Sequence, residues 1–307
     1  MRISNKGYFI CALTSLLVML TGCGSGSSGS DPVNAVGRIS LGISDGPIHD
    51  AKNVCIRFTE IEFKGEGAPL TVDLGGEEII NLLDFQGANS FPLLVDEPLP
   101  AGQYQWLRLG IDAERGGDLV GDGTQEGPCI SGRSYLVTDR STVHNLYVPS
   151  SAQTGLKLVG GFTIPVNGSA NFTADFDLGK SLTEPPGLDT DVIFRPTIRL
   201  VNNVEVGTLT GLVDSALVAT ADTCAASVYV FPAAEGDVDP DNSITFAMVN
   251  TEENIDRGQT EYRYTVGFLL AGEYEAAFSC DDGATFEPVE GKPVSIIANE
   301  VTTVDFP

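Results

Sequence analysis

Apolar and polar residues alternate with a period of two in several stretches of the chain. The clearest runs cover residues 38–43, 107–111, 172–178, 262–268 and 274–278. Side chains two residues apart share one face of an extended strand, so each run predicts a strand with one buried and one polar face. Half-buried strands of this kind are typical of antiparallel sheets that pack face to face. The pattern therefore predicts an all-β chain built of antiparallel β-sandwiches.

Turn-forming residues separate these runs. Asp, Pro and Gly cluster at 45–47, 122–123, 185–187 and 281–283, and these residue types favour tight turns. Of the 307 residues, 35 are Gly and 17 are Pro, which favours a turn-rich chain over a helical one. Only residues 77–85 are predicted to form a short helical turn.

Similar segments recur in the two halves of the chain at the same spacing. Two such pairs are 37–45 with 207–215, and 99–104 with 269–274. One interpretation is a tandem of two related sandwiches. The other is convergence, since short hairpins that contain Gly are common.

The length of the chain supports two domains, because 307 residues are about twice a typical domain of roughly 150. We place the first predicted domain at residues 37–203 and the second at residues 205–307.

The N-terminus has the features of an export signal. Arg2 and Lys6 precede an apolar run at 8–20, which is shorter than the roughly 20 residues that span a bilayer as a helix. The next residues, Leu-Thr-Gly-Cys, end at Cys23 and resemble the lipobox of bacterial lipoproteins. This resemblance implies that residues 1–22 are a signal peptide and that Cys23 carries a diacylglyceryl group and an N-acyl chain such as palmitate. The alternative is an ordinary secretory signal with a chance cysteine.

The residues after Cys23 refine the expected location. Gly24 rather than Asp follows the cysteine, which resembles outer-membrane rather than inner-membrane lipoproteins of Gram-negative bacteria. Residues 23–36 include a Gly/Ser run and are predicted to form a flexible tether. We therefore expect a lipid anchor in the outer membrane, with the folded part on its periplasmic or cell-surface side.

Cysteine usage agrees with export. Of six cysteines, one leaves with the signal peptide and Cys23 takes the lipid, so four remain. Free buried thiols are one alternative, and a metal site is a poor one because Cys-x-x-Cys is absent and only two histidines exist. The simplest of three possible pairings gives each predicted domain one disulfide: Cys55–Cys129 and Cys224–Cys280.

The charge balance narrows the classes of partner. The chain has 42 acidic and 17 basic residues and a formal charge of −25. Such a chain repels the phosphates of nucleic acids, which excludes them as expected partners. It also opposes docking by charge onto an anionic membrane surface, so we expect contact with the membrane through the lipid anchor alone.

Acidic residues cluster in two predicted loops. Asp237, Asp239 and Asp241 alternate along one loop, as carboxylates do in sites for hard cations such as Ca²⁺. A looser set contains Asp118, Asp122 and Glu126. The other interpretation of both sets is a solvated acidic loop, and no other cofactor is expected.

Candidates for catalysis are few. Residues 42–46 fit the letters Gly-x-Ser-x-Gly, but a nucleophile elbow leads into a helix and here a proline follows. His49 and His144 are the only histidines and are expected in loops or at the surface. Asp175 and Asp177 share one face of a strand, as paired catalytic carboxylates do, although a polar sheet face has the same pattern.

Trp106 is the only tryptophan. It has the opposite strand parity from Leu107 and Leu109, which predicts an outward-facing ring that can stack on a sugar. A second core layer is the alternative.

Two parts of the chain carry segments typical of known families. In the first part these are Ile43–Pro47, Asn81–Asp84, Leu99–Leu109, Val148–Leu158, Asp175–Ser181 and Arg195–Leu200. On these segments, residues 37 to about 203 resemble a bacterial family, the domain of unknown function 4382, which implies an exported lipoprotein module; the disulfide at Cys55 is not part of that pattern. By their strand rhythm and the Leu-Ala-Gly-Glu-Tyr segment that ends at Tyr274, residues 205–307 resemble prealbumin-like sandwiches of the carboxypeptidase-regulatory-like or carbohydrate-binding-like group.

These observations predict a non-enzymatic lipoprotein that binds or adheres at the cell envelope, with a carbohydrate or another polymer as the ligand. The first alternative is a structural or accessory subunit of an envelope complex, in which a partner protein covers one sheet edge or face. The second is a hydrolase that uses Asp175 and Asp177.

Overall fold

In the computed structural model of the chain, the described residues are 35–49, 51–114, 129–130, 132–149, 155–183, 191–218, 224–234, 236–254 and 259–307. The predicted signal peptide, Cys23, most of the predicted tether and the acidic residues 118, 122 and 126 lie outside these ranges. Within them, no helix is long and apolar enough to cross a membrane.

Twelve strands form the first sandwich. They are β1 (Val36–Gly46), β2 (Ala51–Lys64), β3 (Leu70–Asn81), β4 (Phe91–Pro100), β5 (Gly102–Ile111), β6 (Tyr135–Thr138), β7 (Val143–Tyr147), β8 (Leu156–Ile164), β9 (Ser169–Asp177), β10 (Leu182–Thr183), β11 (Asp191–Phe194) and β12 (Thr197–Asn202). A four-stranded sheet has the order β12-β9-β1-β4. An eight-stranded sheet has the order β10-β11-β7-β6-β2-β5-β8, with β3 also paired to β2.

Eight further strands form the second sandwich. They are β13 (Val206–Val213), β14 (Ser227–Pro232), β15 (Thr245–Met248), β16 (Asn250–Asn254), β17 (Gln259–Leu270), β18 (Gly272–Ser279), β19 (Glu287–Ile296) and β20 (Val301–Thr303). Its two four-stranded sheets have the orders β16-β17-β13-β20 and β15-β14-β18-β19. A four-residue helix (Ser215–Val218) and 3-10 turns at Leu82–Asp84, Leu178–Lys180 and Pro240–Asn242 are the helical elements described.

The alternation in the sequence accounts for the cores. Ile39, Leu41 and Ile43 of β1 are fully buried, and they share one apolar cluster with Leu107 and Leu109 of the facing sheet. The second sandwich has a separate cluster. The predicted all-β sandwich class is thus confirmed, because each sheet buries one face against its partner.

Strand direction is more varied than the predicted antiparallel pattern. Most pairs are antiparallel, but β1 runs parallel to β9, β7 to β11, and β13 to β20. The alternation of apolar and polar residues shows which side of a strand is apolar. It contains no information on the direction of the neighbouring strand. Parallel neighbours require a long connection, and each of these pairs is separated by many residues of chain.

The predicted helical turn at 77–85 is present only near its C-terminal end. Ile79 and Ile80 pair with β2 as strand, and the 3-10 turn begins at Leu82. Asn81 accepts a hydrogen bond from the amide of Val54 through Oδ1, at 2.9 Å, which fixes the transition from strand to turn.

Both predicted cysteine pairs are bonded. Cys55 of β2 joins Cys129, and Cys224 joins Cys280 at the end of β18. The first bridge lies on the outer face of the eight-stranded sheet, within a small apolar cluster that includes Tyr135. Each bridge stays within one sandwich.

The two sandwiches contact each other within one compact unit, Ala35–Pro307. Lys180 of the first donates to the carbonyl of Ser243 of the second, at 2.7 Å. His49 of the first stacks on Phe246 of the second, with ring centroids 5.4 Å apart. Polar and aromatic contacts therefore hold this junction.

Candidate functional site

Trp106 lies on the outer face of the eight-stranded sheet. Leu107 and Leu109 point into the core, so Trp106 points the other way and is half-buried. The strand pairing shifts register between Tyr104 and Trp106, and this bulge turns Tyr104 back into the core. The parity of the sequence thus indicated the correct side for the only tryptophan.

Two cations lie against the Trp106 ring. The Arg108 guanidinium carbon is 4.9 Å and the Lys157 ammonium nitrogen 4.6 Å from the ring centroid. Arg108 and Lys157 face each other across β5 and β8, and Arg108 also forms an ion pair with Glu62 at 2.7 Å. Each such cation–π contact is worth about 0.5–1 kcal/mol at an exposed site, so the contacts hold the two charges beside the ring.

The surface around the ring is open. Val159, the register partner of Trp106 on β8, is 80% exposed, and nothing lies within 4 Å of a Cβ built on Gly160. Lys64 is the partner of Trp106 on β2. We call this patch, formed by Lys64, Trp106, Arg108, Lys157 and Val159, the Trp106 platform. It combines one aromatic ring with three cations in an acidic chain.

The acidic loop of the second sandwich has a local structural role. Asp239 accepts hydrogen bonds from the amide of Asp241 at 3.1 Å and from Nδ2 of Asn242 at 2.9 Å, and so caps the 3-10 turn at Pro240–Asn242. The described ranges contain no group of three His, Cys, Asp or Glu side chains placed to hold a metal ion. Calcium binding at Asp237, Asp239 and Asp241 stays a prediction. This loop and Trp106 lie in different sandwiches.

The residues that resemble a nucleophile elbow lie within a strand. Ser44 is fully buried in β1, and its Oγ donates to the carbonyl of Phe85 at 3.1 Å. An elbow exposes its serine at a turn before a helix. The Gly-x-Ser-x-Gly match is therefore a strand end.

His49 has a serine and an aspartate beside the same ring nitrogen. Its Nε2 lies 3.1 Å from Oδ1 of Asp282 and 3.4 Å from Oγ of Ser227. A catalytic triad uses the two nitrogens separately, one for the acid and one for the nucleophile. The arrangement therefore joins the two sandwiches and does not prepare Ser227 for attack.

Asp175 and Asp177 are each paired with their own cation. Asp175 binds Arg199, and Asp177 lies 3.0 Å from the Lys180 ammonium. Burial is the main cause that raises the pKa of Asp175, and the Arg199 charge opposes it. These pairings match a polar sheet face with partly buried ion pairs.

Asp45 is a buried carboxyl that is not among the site residues predicted from the sequence. It continues the inward parity of Ile39, Leu41 and Ile43, and neither of its carboxylate oxygens has a well-directed hydrogen bond within the described residues. Burial raises its pKa well above the ordinary value, and the nearby Asp175 charge raises it further. The signal was present in the sequence, since the alternation places position 45 inside.

Similarity to solved structures is distant. Similar structures include a leucine-rich repeat protein from Bacteroides thetaiotaomicron (12% identity, TM-score 0.21), the TIE protein of Bacillus anthracis (12%, 0.20) and GBS52, the minor pilin of Streptococcus agalactiae (8%, 0.19). The alignments cover 89%, 89% and 87% of this chain, and 26%, 34% and 94% of those chains. The chain thus spans about a quarter to a third of the length of the first two. No curated protein matches the chain at a significant level.

A family model gives a firmer relationship. The model described as Domain of unknown function (DUF4382) matches residues 36–196, which is more than half of the chain and nearly all of the first sandwich. The chain therefore belongs to the DUF4382 family.

Proposed function

We propose that the protein is a non-enzymatic binding protein of the bacterial cell envelope, anchored in the outer membrane by lipid on Cys23, and that its Trp106 platform binds an acidic polysaccharide. The observation that carries this proposal is the Trp106 ring on an open sheet face with Arg108 and Lys157 beside it.

The chemistry of the platform suits a sugar acid. The C–H face of a pyranose ring packs well on an aromatic ring. An arginine or lysine next to that ring forms charge-assisted hydrogen bonds with a carboxylate, which are about twice as strong as neutral ones. Because Lys157 is exposed and lies against the outer side of the Trp106 ring, its ammonium is accessible to such a ligand.

The net charge of the chain also favours binding of an acidic polymer at the Trp106 platform. With a formal charge of −25, most of the surface repels an acidic polymer. Lys64, Arg108 and Lys157 share one sheet face with Glu62, the ion-pair partner of Arg108, so positive charges outnumber negative ones among these four residues. Binding there is electrostatic in part, so it should weaken as salt is added.

A lipid anchor fits a role at the envelope. The residues that end at Cys23 resemble a lipobox, and two or more acyl chains anchor a protein stably, whereas one does so only weakly. The tether that starts at Cys23 would let the sandwiches reach a polymer near the membrane.

Affinity electrophoresis of the full chain in detergent tests the platform. We expect retardation by polygalacturonate and none by neutral dextran. Trp106→Ala and Lys157→Gln should each remove most of the retardation, while Trp106→Phe should keep part of it because a ring remains. Arg195→Gln, an exposed arginine outside the platform, is the matched control for charge. Equal retardation of wild type and Trp106→Ala would contradict the proposal.

A specific observation also favours the accessory-subunit alternative. Among the described strands β8 pairs only with β5, so its other edge is open. The edge strands β4 and β19 contain Pro92, Pro98, Pro288 and Pro293, which block added strands, whereas β8, like the shorter edge strands β12 and β16, contains none. Crosslinking in intact cells followed by pull-down tests this role. The accessory-subunit role predicts that one stoichiometric partner protein is captured, and that a proline placed in β8 abolishes its capture.

A further inference from the structure

A cavity that is separate from the Trp106 platform lies at one end of the first sandwich. It has a volume of about 580 Å³ and is lined by residues of β2, β6, β7, β10 and β11 and of the adjoining turns. No described residue of the four-stranded sheet lines it. The apolar side chains that the four-stranded sheet leaves partly exposed here are Ile48, Ala51 and Leu182.

The floor of this cavity is apolar. Leu136 and Val192 are buried members of the main core, and Ile48 and Leu182 pack against that core and also line the cavity. The volume is within the range of small-molecule sites, about 300–1,000 Å³. Five of the lining residues are apolar and six are polar, so the cavity joins an apolar floor to a polar rim.

Two nitrogen-bearing side chains stand over this floor. Arg140 is exposed and has no ion pair or hydrogen bond with any described side chain. His144 lies directly across from Leu136, and its half-buried ring lines the cavity. Its Nδ1 is enclosed by protein, so the ring nitrogen that a ligand can reach is Nε2.

The turn that carries Arg140 is held in place. The amide of Thr138 donates to the carbonyl of Thr142 at 3.0 Å, and Lys52 donates to Oγ of Ser141 at 2.9 Å. A fixed turn keeps the guanidinium at the rim and reduces the entropy lost on binding. Asp139 also lies at the rim and disfavours a ligand with charge spread over its whole surface.

We infer that this cavity binds a small organic anion with an apolar body, such as a carboxylate or sulfonate on an aromatic or aliphatic group. The body packs on the half-buried side chains of Ile48 and Leu182. The anionic group accepts hydrogen bonds from the Arg140 guanidinium and from Nε2–H of His144.

Calorimetric titration of the full chain in detergent tests this inference. The probes are naphthalene-1-sulfonate and its neutral analogue 1-naphthalenemethanol, each corrected for partition into protein-free micelles. We expect saturable binding of the sulfonate with one site per chain. Arg140→Gln should lower the affinity for the sulfonate about tenfold, because one charge-assisted hydrogen bond is lost. It should leave the affinity for the neutral probe unchanged. His144→Phe should lower the affinity for the sulfonate, because the phenyl ring keeps the apolar contact but has no N–H to donate.

The controls make the result specific. Arg195→Gln removes an exposed arginine outside the cavity and should change neither probe. Arg140 is in an exposed turn, so its variant is expected to fold, and circular dichroism checks this. Sulfonate heats equal to those of empty micelles would overturn the inference. So would equal affinity in Arg140→Gln and wild type, or an equal loss in Arg195→Gln.

Discussion

Gly267 of the second sandwich and Gly87 of the first meet backbone to backbone. A Cβ built on Gly267 would lie 2.3 Å from the carbonyl oxygen of Gly87, closer than real Cβ contacts allow. The junction between the two sandwiches therefore depends on the missing side chain at position 267.

This contact predicts that Gly267→Ala destabilises the protein by about 1–3 kcal/mol, the usual cost of overpacking. The obstructing atoms are backbone, which cannot rotate away. Thermal unfolding and protease sensitivity measure the effect. Gly160→Ala is the matched control, because nothing lies within 4 Å of its added Cβ. An unchanged melting temperature in Gly267→Ala would show that the sandwiches separate readily.

Buried Asp45 predicts an unusual dependence of stability on pH. Its pKa in the folded state is raised well above 3.8. Between 3.8 and the raised value, the unfolded chain releases the proton and the folded chain keeps it, so stability falls as pH rises. Asp45→Asn copies the protonated form and removes this loss.

We therefore expect Asp45→Asn to raise the melting temperature at pH 7 and to leave it nearly unchanged at pH 3, where the carboxyl is protonated in both states. Asp237→Asn, an exposed carboxylate, should show no such gain. A lower melting temperature for Asp45→Asn at pH 7 would mean that the charged form of Asp45 is stabilised by the fold.

The Asp175–Arg199 pair predicts an asymmetric response to substitution. The side chain of Asp175 is 10% exposed and that of Arg199 is 31% exposed. Arg199→Gln leaves a carboxylate in a poorly solvated place and should cost about 2 kcal/mol, less than the 3–5 kcal/mol of a fully buried pair because Arg199 is partly solvated. The double variant Asp175→Asn/Arg199→Gln should recover much of that loss in chemical denaturation. Equal stability of the single and double variants would contradict this account.

Much of the fold could be predicted from local patterns in the sequence. The parity of Ile39, Leu41 and Ile43 identified a buried strand face, and that of Leu107 and Leu109 put Trp106 on the outside. Both inferences need only the period of a single strand. The all-β class followed from the repetition of this local signal.

Features that depend on which strands are neighbours could not be predicted in this way. Lys157 lies beside Trp106 only because β8 pairs with β5 in one particular register. The close approach of Gly87 and Gly267 likewise joins two distant segments. Alternation specifies neither register partners nor strand direction, so Lys64, Lys157 and Val159 could be assigned to the Trp106 platform only from the structure.

Lipid on Cys23 predicts a membrane-bound protein that one substitution releases. Wild type should incorporate labelled palmitate and sediment with the outer membrane, because two or more acyl chains anchor stably. Cys23→Ala removes the only thiol at the predicted cleavage site, so the label and the membrane association should both be lost. Cys11→Ala is the matched control, since that cysteine lies in the predicted signal peptide and should affect neither. Palmitate labelling that persists in Cys23→Ala would contradict the anchor, whereas loss of the label with unchanged sedimentation would show that a partner protein holds the chain at the membrane.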